Sequence, residues 1–255
     1  MALLANKKAI VFGVANDHSI AWAIAQALHD AGAELALTYV GESIERRVRP
    51  LAESLGVGLV LPCDVTKDAD IESTFSALRE RWGRVDVIIH AVAFAARDEL
   101  KGRFLATSRA GFQLALDVSA YSLIAIARYA EPLMPAGSSI VTLTYFGAEK
   151  VLPNYNVMGI AKAALEACVR YLAFDLGPQG IRVNAISAGP IRTLSSAGIT
   201  GFKAMFHHHA ERAPLRRSVL PEEIGSTAVY LCSDMGSAVT GEVVHVDGGY
   251  NIVGM

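Results

Sequence analysis

Residues 142–167 read TLTYFGAEKVLPNYNVMGIAKAALEA. An apolar, strand-like run (Ser139–Thr144) leads into a loop that ends in Pro153-Asn154, and a pattern with helical spacing follows. Tyr145 closes the strand-like run. Tyr155 and Lys162 are seven residues apart, and at about 100° per residue that spacing returns them to one face of a helix, two turns apart. A phenol and an ammonium on one face, near the end of a strand, suggest proton donation or oxyanion stabilisation, with the phenol tuned by the cation.

The same alternation extends in both directions. Ala9–Phe12 is an apolar run that meets Gly13, and Ile20–Leu28 has helical spacing. Glu34–Val40 reads as a second strand, Glu42–Leu55 as a charged helix stopped by Gly56, Val57–Leu61 as a third strand and Ala69–Trp82 as a third helix. Val85–Ala91 predicts a fourth strand, residues 109–134 one long helix, and Tyr155–Leu176 the helix carrying both the phenol and the amine. Arg182–Ser187, Glu222–Ser233 and Val243–Val246 complete the pattern. Continuously apolar strands alternating with helices imply a parallel sheet covered on both faces. The expected fold is therefore α/β: a single doubly wound, Rossmann-type domain over residues 1–255, with about seven strands.

Composition narrows the function. Of 255 residues, 52% are hydrophobic and 19% charged, which predicts a large core or extensive subunit burial. No uninterrupted run of 18 apolar residues occurs, so no membrane span is expected. A net charge of −2 argues against nucleic acid or an anionic membrane as partner. No cationic leader with an apolar core is recognised at the start. Cys63, Cys168 and Cys232 are widely spaced in apolar surroundings and read as reduced packing residues of a cytoplasmic protein.

The segment Gly13–Ile20 follows the first strand and opens the first helix, where dinucleotide folds bind pyrophosphate. Only Gly13 remains of the usual three glycines, with Ser19 at an N-cap position, so an ordinary strand-to-helix turn reads equally well from this segment alone. After the second strand, Val40-Gly41-Glu42 offers no acidic residue for ribose hydroxyls. No Arg or Lys follows immediately either: Arg46 and Arg47 lie one turn into the helix, where Glu42 and Glu45 can pair with them. NADH is expected rather than NADPH. Asp64-Val65, after the third strand, can contact adenine, although a turn or cap role for Asp64 also fits. Lys162 sits in an otherwise apolar helix, either snorkelling or reaching a ribose hydroxyl.

Taken together, the chain resembles the divergent short-chain dehydrogenase/reductases, and among them the bacterial enoyl-[acyl-carrier-protein] reductase family. The resemblance covers nearly the whole length. It rests on Gly13…Ser19-Ile20-Ala21, Cys63-Asp64-Val65, Tyr155-Asn156-Val157-Met158-Gly159 ahead of Lys162, the run Ile186–Thr193 and the run Gly241–Gly249. Six residues separate Tyr155 from Lys162, where ordinary members of the superfamily have three. His90-Ala91-Val92-Ala93-Phe94-Ala95 replaces their Asn-Asn-Ala-Gly. Both departures point to the enoyl reductase branch.

The resemblance implies reduction of a trans-2-enoyl thioester with NADH in type II fatty acid synthesis. Tyr155 would stabilise the oxyanion, Lys162 would hold the nicotinamide ribose, and Tyr145 would lie beside the reacting carbons. It implies cofactor contacts at Gly13, Ser19, Ile20, Val40, Asp64, Val65, Val92, Lys162, Ile191, Thr193, Leu194 and Ser195. Phe94, Ala95, Tyr145, Tyr155, Met158 and Phe202 would border the acyl chain, under a covering segment at about 191–215 to which Met205 and Phe206 add apolar surface. Ala93 stands where the family commonly has Gly and would narrow the pocket mouth. The acidic acyl carrier protein would dock on basic residues, with Lys203, Arg212, Arg216 and Arg217 as candidates. A homotetramer is expected, partly through the apolar segment Gly241–Met255. His207-His208-His209 is not expected to hold a metal, because consecutive residues fan out around a helix whereas chelation uses a spacing of about four. A carbonyl-reducing dehydrogenase and a non-catalytic dinucleotide-binding regulator are the competing readings.

Overall fold

The computed structural model describes residues 2–193 and 201–254, with Phe202 and Lys203 described by backbone only. Seven parallel strands form one sheet in the order β3-β2-β1-β4-β5-β6-β7. They are β1 (Lys8–Phe12), β2 (Glu34–Tyr39), β3 (Leu59–Pro62), β4 (Val87–His90), β5 (Ser139–Thr144), β6 (Arg182–Ala188) and β7 (Val243–Val246). The helices between them are α1 (Ile20–Asp30), α2 (Glu42–Ser54), α3 (Asp68–Trp82), α4 (Arg109–Leu116), α5 (Ser122–Ala130), α6 (Val157–Leu176), α7 (Phe202–Arg212) and α8 (Pro221–Cys232).

Alternation along the strands sorts side chains to the two faces. Val11, Leu37 and Ile89 pack with α1, α2 and α8 through Ile24, Val48 and Ile224. Ile10, Phe12 and Ile88 pack on the other face with α3, α5 and α6 through Phe75, Ile126 and Leu165. The chain winds outward from β1 through β2 to β3, then returns to β4 on the other side of β1. That reversal leaves a crevice at the carboxyl ends of β1 and β4, where open α/β sheets bind ligands.

Two sequence expectations need correction, and a third gains a detail. The third strand runs from Leu59 to Pro62 rather than from Val57 to Leu61: Val57 is buried in the turn before it, and Pro62 is tolerated because β3 is an edge strand. The long helix expected over 109–134 is present as Arg109–Leu133, with a π turn at Asp117–Tyr121 widening it between α4 and α5. Helix α6 begins at Val157, so Tyr155 lies in the turn before it. Positive φ at Asn154 (64°) and Asn156 (42°) interrupts the helical pattern there.

The run Arg109–Leu133 is long and apolar enough to cross a membrane by length and composition alone, but 56% of its apolar window is buried inside the protein. It belongs to the core: Leu123, Ala125 and Ile126 are fully buried against the sheet.

Candidate active site

Gly13 has φ 99°, and a Cβ there would collide with the Ala91 carbonyl. The residue after β1 can therefore be only glycine, and the ends of β1 and β4 approach closely because of it. Ser19 occupies the N-cap position of α1, as expected, but its hydroxyl does not cap the helix. It donates to the Asn16 carbonyl at 2.6 Å and closes the loop instead. Among the described residues no acceptor is found for the N–H groups of Ile20 and Ala21, and both residues line a cavity of about 360 Å3. Unpaired first-turn donors at a helix N-terminus form a site for an anionic group, so these residues fit the pyrophosphate of a dinucleotide.

The same cavity gathers Gly13, Ser19, Ile20, Val92, Phe94, Ala95, Tyr145, Tyr155, Met158, Lys162, Ile191 and Thr193 from distant parts of the chain. Val40, Asp64 and Val65 are not in its lining. They lie at the ends of the outer strands β2 and β3, with Val40 exposed. The Asp64 carboxylate is used by its own turn, accepting from Thr66 N at 3.1 Å and Thr66 Oγ1 at 2.7 Å, and Lys67 pairs with it at 3.4 Å. Arg46 pairs with Glu42 at 3.4 Å. Leu194 and Ser195 lie outside the described residues, as does the Phe202 side chain.

Tyr155 is positioned by contact rather than by helical periodicity. Its ring lies so close to Gly147 that a Cβ there would collide with it. The Tyr145 ring meets it edge to face at 5.2 Å. Burial first, and Tyr145 second, hold the Tyr155 phenol above its ordinary pKa. Burial raises Tyr145 as well. The expected tuning of the phenol by a neighbouring cation is therefore reversed, and both phenols keep their protons at neutral pH. The Tyr145 hydroxyl donates to Met205 Sδ at 3.4 Å, so α7 touches the cavity through Met205.

Lys162 is buried, and its Nζ donates to the Leu143 carbonyl at 2.7 Å. It does not snorkel. Burial pushes its pKa down to about 8, against a weaker opposing effect of Glu166. Glu166 itself accepts a hydrogen bond from Thr144 Oγ1 at 2.7 Å.

Several supporting residues carried no sequence signal beyond their apolar setting. His90 is fully buried, with its ring nitrogens 2.8 Å from Thr142 Oγ1 and Ser122 Oγ. Burial, and then Lys162, push it down to about 3, so a neutral imidazole ties β4 to β5 and α5. Ser119, in the π turn, accepts from Phe94 N at 3.0 Å and so pins the segment after β4. Wide turns of this kind often mark functional sites. Leu100, Arg97 and Met205 also line the cavity.

The three consecutive histidines diverge. His207 lies edge-on to Phe206, while His209 turns inward and stacks on Tyr250 at 4.6 Å. Of the basic candidates, Arg217 is held by Glu223 in a bidentate pair at 2.9 and 2.6 Å. Arg212 and Arg216 are exposed, and the Lys203 side chain is outside the described set.

A family model described as enoyl-(acyl carrier protein) reductase matches residues 13–251. The chain is 56% identical over 253 residues to an NADH enoyl-[acyl-carrier-protein] reductase of Rhizobium meliloti, covering 99% of this chain and 93% of the relative. It is 56% identical over 256 residues to the corresponding Bacillus cereus reductase, covering all of both chains. The crystal structure of the Bacillus cereus enoyl-acyl carrier protein reductase with NADP+ and an indole naphthyridinone superposes with a TM-score of 0.98 at 55% identity, over the full length of both chains. The Aquifex aeolicus enoyl-[acyl-carrier-protein] reductase (NADH) superposes with a TM-score of 0.96 at 51% identity, covering 99% of this chain and all of that one. A match of this extent in both sequence and fold places the chain in the enoyl-(acyl carrier protein) reductase family.

Proposed function

We propose that the chain is an NADH-dependent enoyl-[acyl-carrier-protein] reductase of type II fatty acid synthesis. It converts a trans-2-enoyl thioester into the saturated acyl thioester. The observation that carries this reading is the neutral Tyr155 phenol, set edge to face with Tyr145 and opening on the same cavity as Lys162.

When bound, the dinucleotide supplies the hydride, delivered to the β-carbon of the thioester. Charge then develops on the thioester oxygen, and a donor already in place there lowers the barrier most. Tyr155 is that donor. Its raised pKa keeps the proton on the phenol at neutral pH. Lys162 would hold the nicotinamide ribose hydroxyls. Gly13, Ser19 and Ile20 would flank the pyrophosphate, and Val40, Asp64 and Val65 the adenosine. Val92, Ile191 and Thr193 would surround the nicotinamide, with Leu194 and Ser195 assigned there by sequence alone. Tyr145, Phe94, Ala95 and Met158 would border the acyl chain, with Phe202 and a covering segment at about 191–215 likewise assigned by sequence. Residues 1–255 act as one dinucleotide-binding and catalytic unit.

NADH is the cofactor named for the relatives, while the Bacillus cereus structure holds NADP+, so both belong in the assay. A strong preference for NADPH in kcat/KM would contradict this assignment. The acyl partner is carried by an acyl carrier protein, for which Lys203, Arg212 and Arg216 supply positive charge near α7.

The outer face of α6 supports a homotetramer: Tyr171 and Phe174 are 76% and 83% exposed, and Ile160 is 41% exposed. Large exposed apolar groups aligned on one helix mark an association surface. Sedimentation analysis finding a monomer at micromolar concentration would reject the tetramer. Cys63, Cys168 and Cys232 are free thiols, which suits a reducing cytoplasmic setting.

The reading is tested by turnover of crotonyl-CoA with NADH. Formation of butyryl-CoA at the rate of NADH loss supports it, and absence of reduction rejects it.

A further inference from the structure

Asn156 follows Tyr155 directly and has no part in the roles assigned above. Its backbone stands at φ 42°, ψ −120°, a conformation that non-glycine residues rarely adopt. Its side chain reaches across to another loop. Nδ2 donates to the carbonyl oxygens of Glu99 at 3.2 Å, Lys101 at 3.5 Å and Gly102 at 3.4 Å. Three acceptors around one nitrogen fix the orientation of the amide.

The loop so held forms part of the cavity. Arg97–Leu100 is a 3-10 turn; Arg97 and Leu100 line the cavity, and Leu100 is buried in one apolar cluster with Tyr155, Val157 and Met158. The far side of the loop is anchored separately. The Glu99 carboxylate accepts from Ser108 N at 3.1 Å and from Ser108 Oγ at 2.5 Å, and Ser108 caps α4 through Gly111 N at 2.9 Å. Glu99 thus joins the loop to α4 by its side chain, while its carbonyl joins the loop to the tyrosine turn through Asn156.

We propose that Asn156 is a positioning residue, which ties the cavity wall at residues 97–102 to the turn that carries Tyr155. It thereby sets the gap in which a thioester meets the Tyr155 hydroxyl. The residue type follows from the task. The side chain must be short, must donate twice to carbonyls, and must tolerate positive φ. Aspartate has the same shape and presents only acceptors to those carbonyls. Glycine suits the backbone and removes the donors.

The inference rests on the enoyl reductase reading, so its test includes a measurement that does not depend on turnover. Asn156→Gly and Asn156→Asp are compared with the unaltered chain by hydrogen exchange of the amides of 97–103, by the stoichiometry and affinity of NADH binding, and by kcat and KM for crotonyl-CoA. The expected result in both variants is exchange at 97–103 faster by about tenfold and kcat lower by about tenfold. NADH affinity and stoichiometry should stay within twofold. A merely structural role would lower NADH stoichiometry together with kcat. Should Asn156→Gly fail to fold, Asn156→Asp carries the same comparison. Unchanged exchange, or faster exchange with unchanged kcat and KM, overturns the inference. If the unaltered chain does not reduce crotonyl-CoA, the activity reading fails by itself, while the exchange result still decides whether the tether exists.

Discussion

The rings of Tyr145 and Tyr155 stand edge to face, their centroids 5.2 Å apart and their planes at 73°, and each phenol is held above its ordinary pKa by burial. The pair is asymmetric in its other contacts. Tyr145 directs its hydroxyl to Met205, whereas no partner for the Tyr155 hydroxyl is found among the described residues. Tyr155→Phe should therefore lose more kcat than Tyr145→Phe, by on the order of 10²–10³ against the unaltered chain. Steady-state assays of both variants on one enoyl thioester decide this. A Tyr155→Phe enzyme with nearly full kcat would contradict the assigned donor.

Lys162 predicts a pH dependence. Its folded-state pKa is pushed down to about 8, below the unfolded value. A lysine shifted this way binds its proton less tightly when folded, so its buried charge destabilises the ligand-free fold fully below about pH 8. The penalty fades as pH rises from about 8 toward the unfolded pKa near 10.4. The ammonium is also the form that donates to ribose hydroxyls, so NADH affinity should fall as pH rises through about 8. Binding measured from pH 6.5 to 9.5, in roughly half-unit steps, should show the fall. Lys162→Met should bind more weakly throughout and lack this dependence.

Gly147 provides a steric test of where Tyr155 must sit. A Cβ at this position would collide with the Tyr155 ring, so Gly147→Ala should displace the phenol. The expected outcome is a loss of kcat on the order of tenfold to a hundredfold, with NADH affinity unchanged. Equal kcat in Gly147→Ala would mean that the ring position is not what limits the reaction.

Ala93 is exposed and lines the cavity. If its methyl group crowds the mouth, planar inhibitors that stack on nicotinamide should bind Ala93→Gly about fivefold more tightly, a relief of overpacking on the order of 1 kcal/mol. Calorimetry with one such inhibitor in the presence of cofactor checks this. Unchanged affinity would remove Ala93 from the mouth.

Much of the fold is legible in the sequence because buried parallel strands are continuous apolar runs. β5 and β7 match their expected limits, and the other strands differ by only a few residues. The departures have local causes. The π turn at 117–121 preserves apolar spacing on both sides, so periodicity does not report it. Tyr155 meets Lys162 in one cavity as expected, but not on one helical face: the positive φ values of Asn154 and Asn156 are single-residue events that a period of 3.6 does not reveal. The clamp on His90, the Ser119 contact and the Asn156 tether are contacts between residues far apart in sequence, with spans of 52, 25 and up to 57 positions. No short motif encodes them.

The most direct measurement is product analysis of the reaction with a trans-2-enoyl acyl carrier protein, run with NADH carrying deuterium at the transferable position and in parallel with a 3-oxoacyl thioester. Saturated acyl product with deuterium on the β-carbon, formed one for one with NADH consumed, is the predicted result. Reduction of the 3-oxo substrate in place of the enoyl substrate, or no turnover of either, would contradict it.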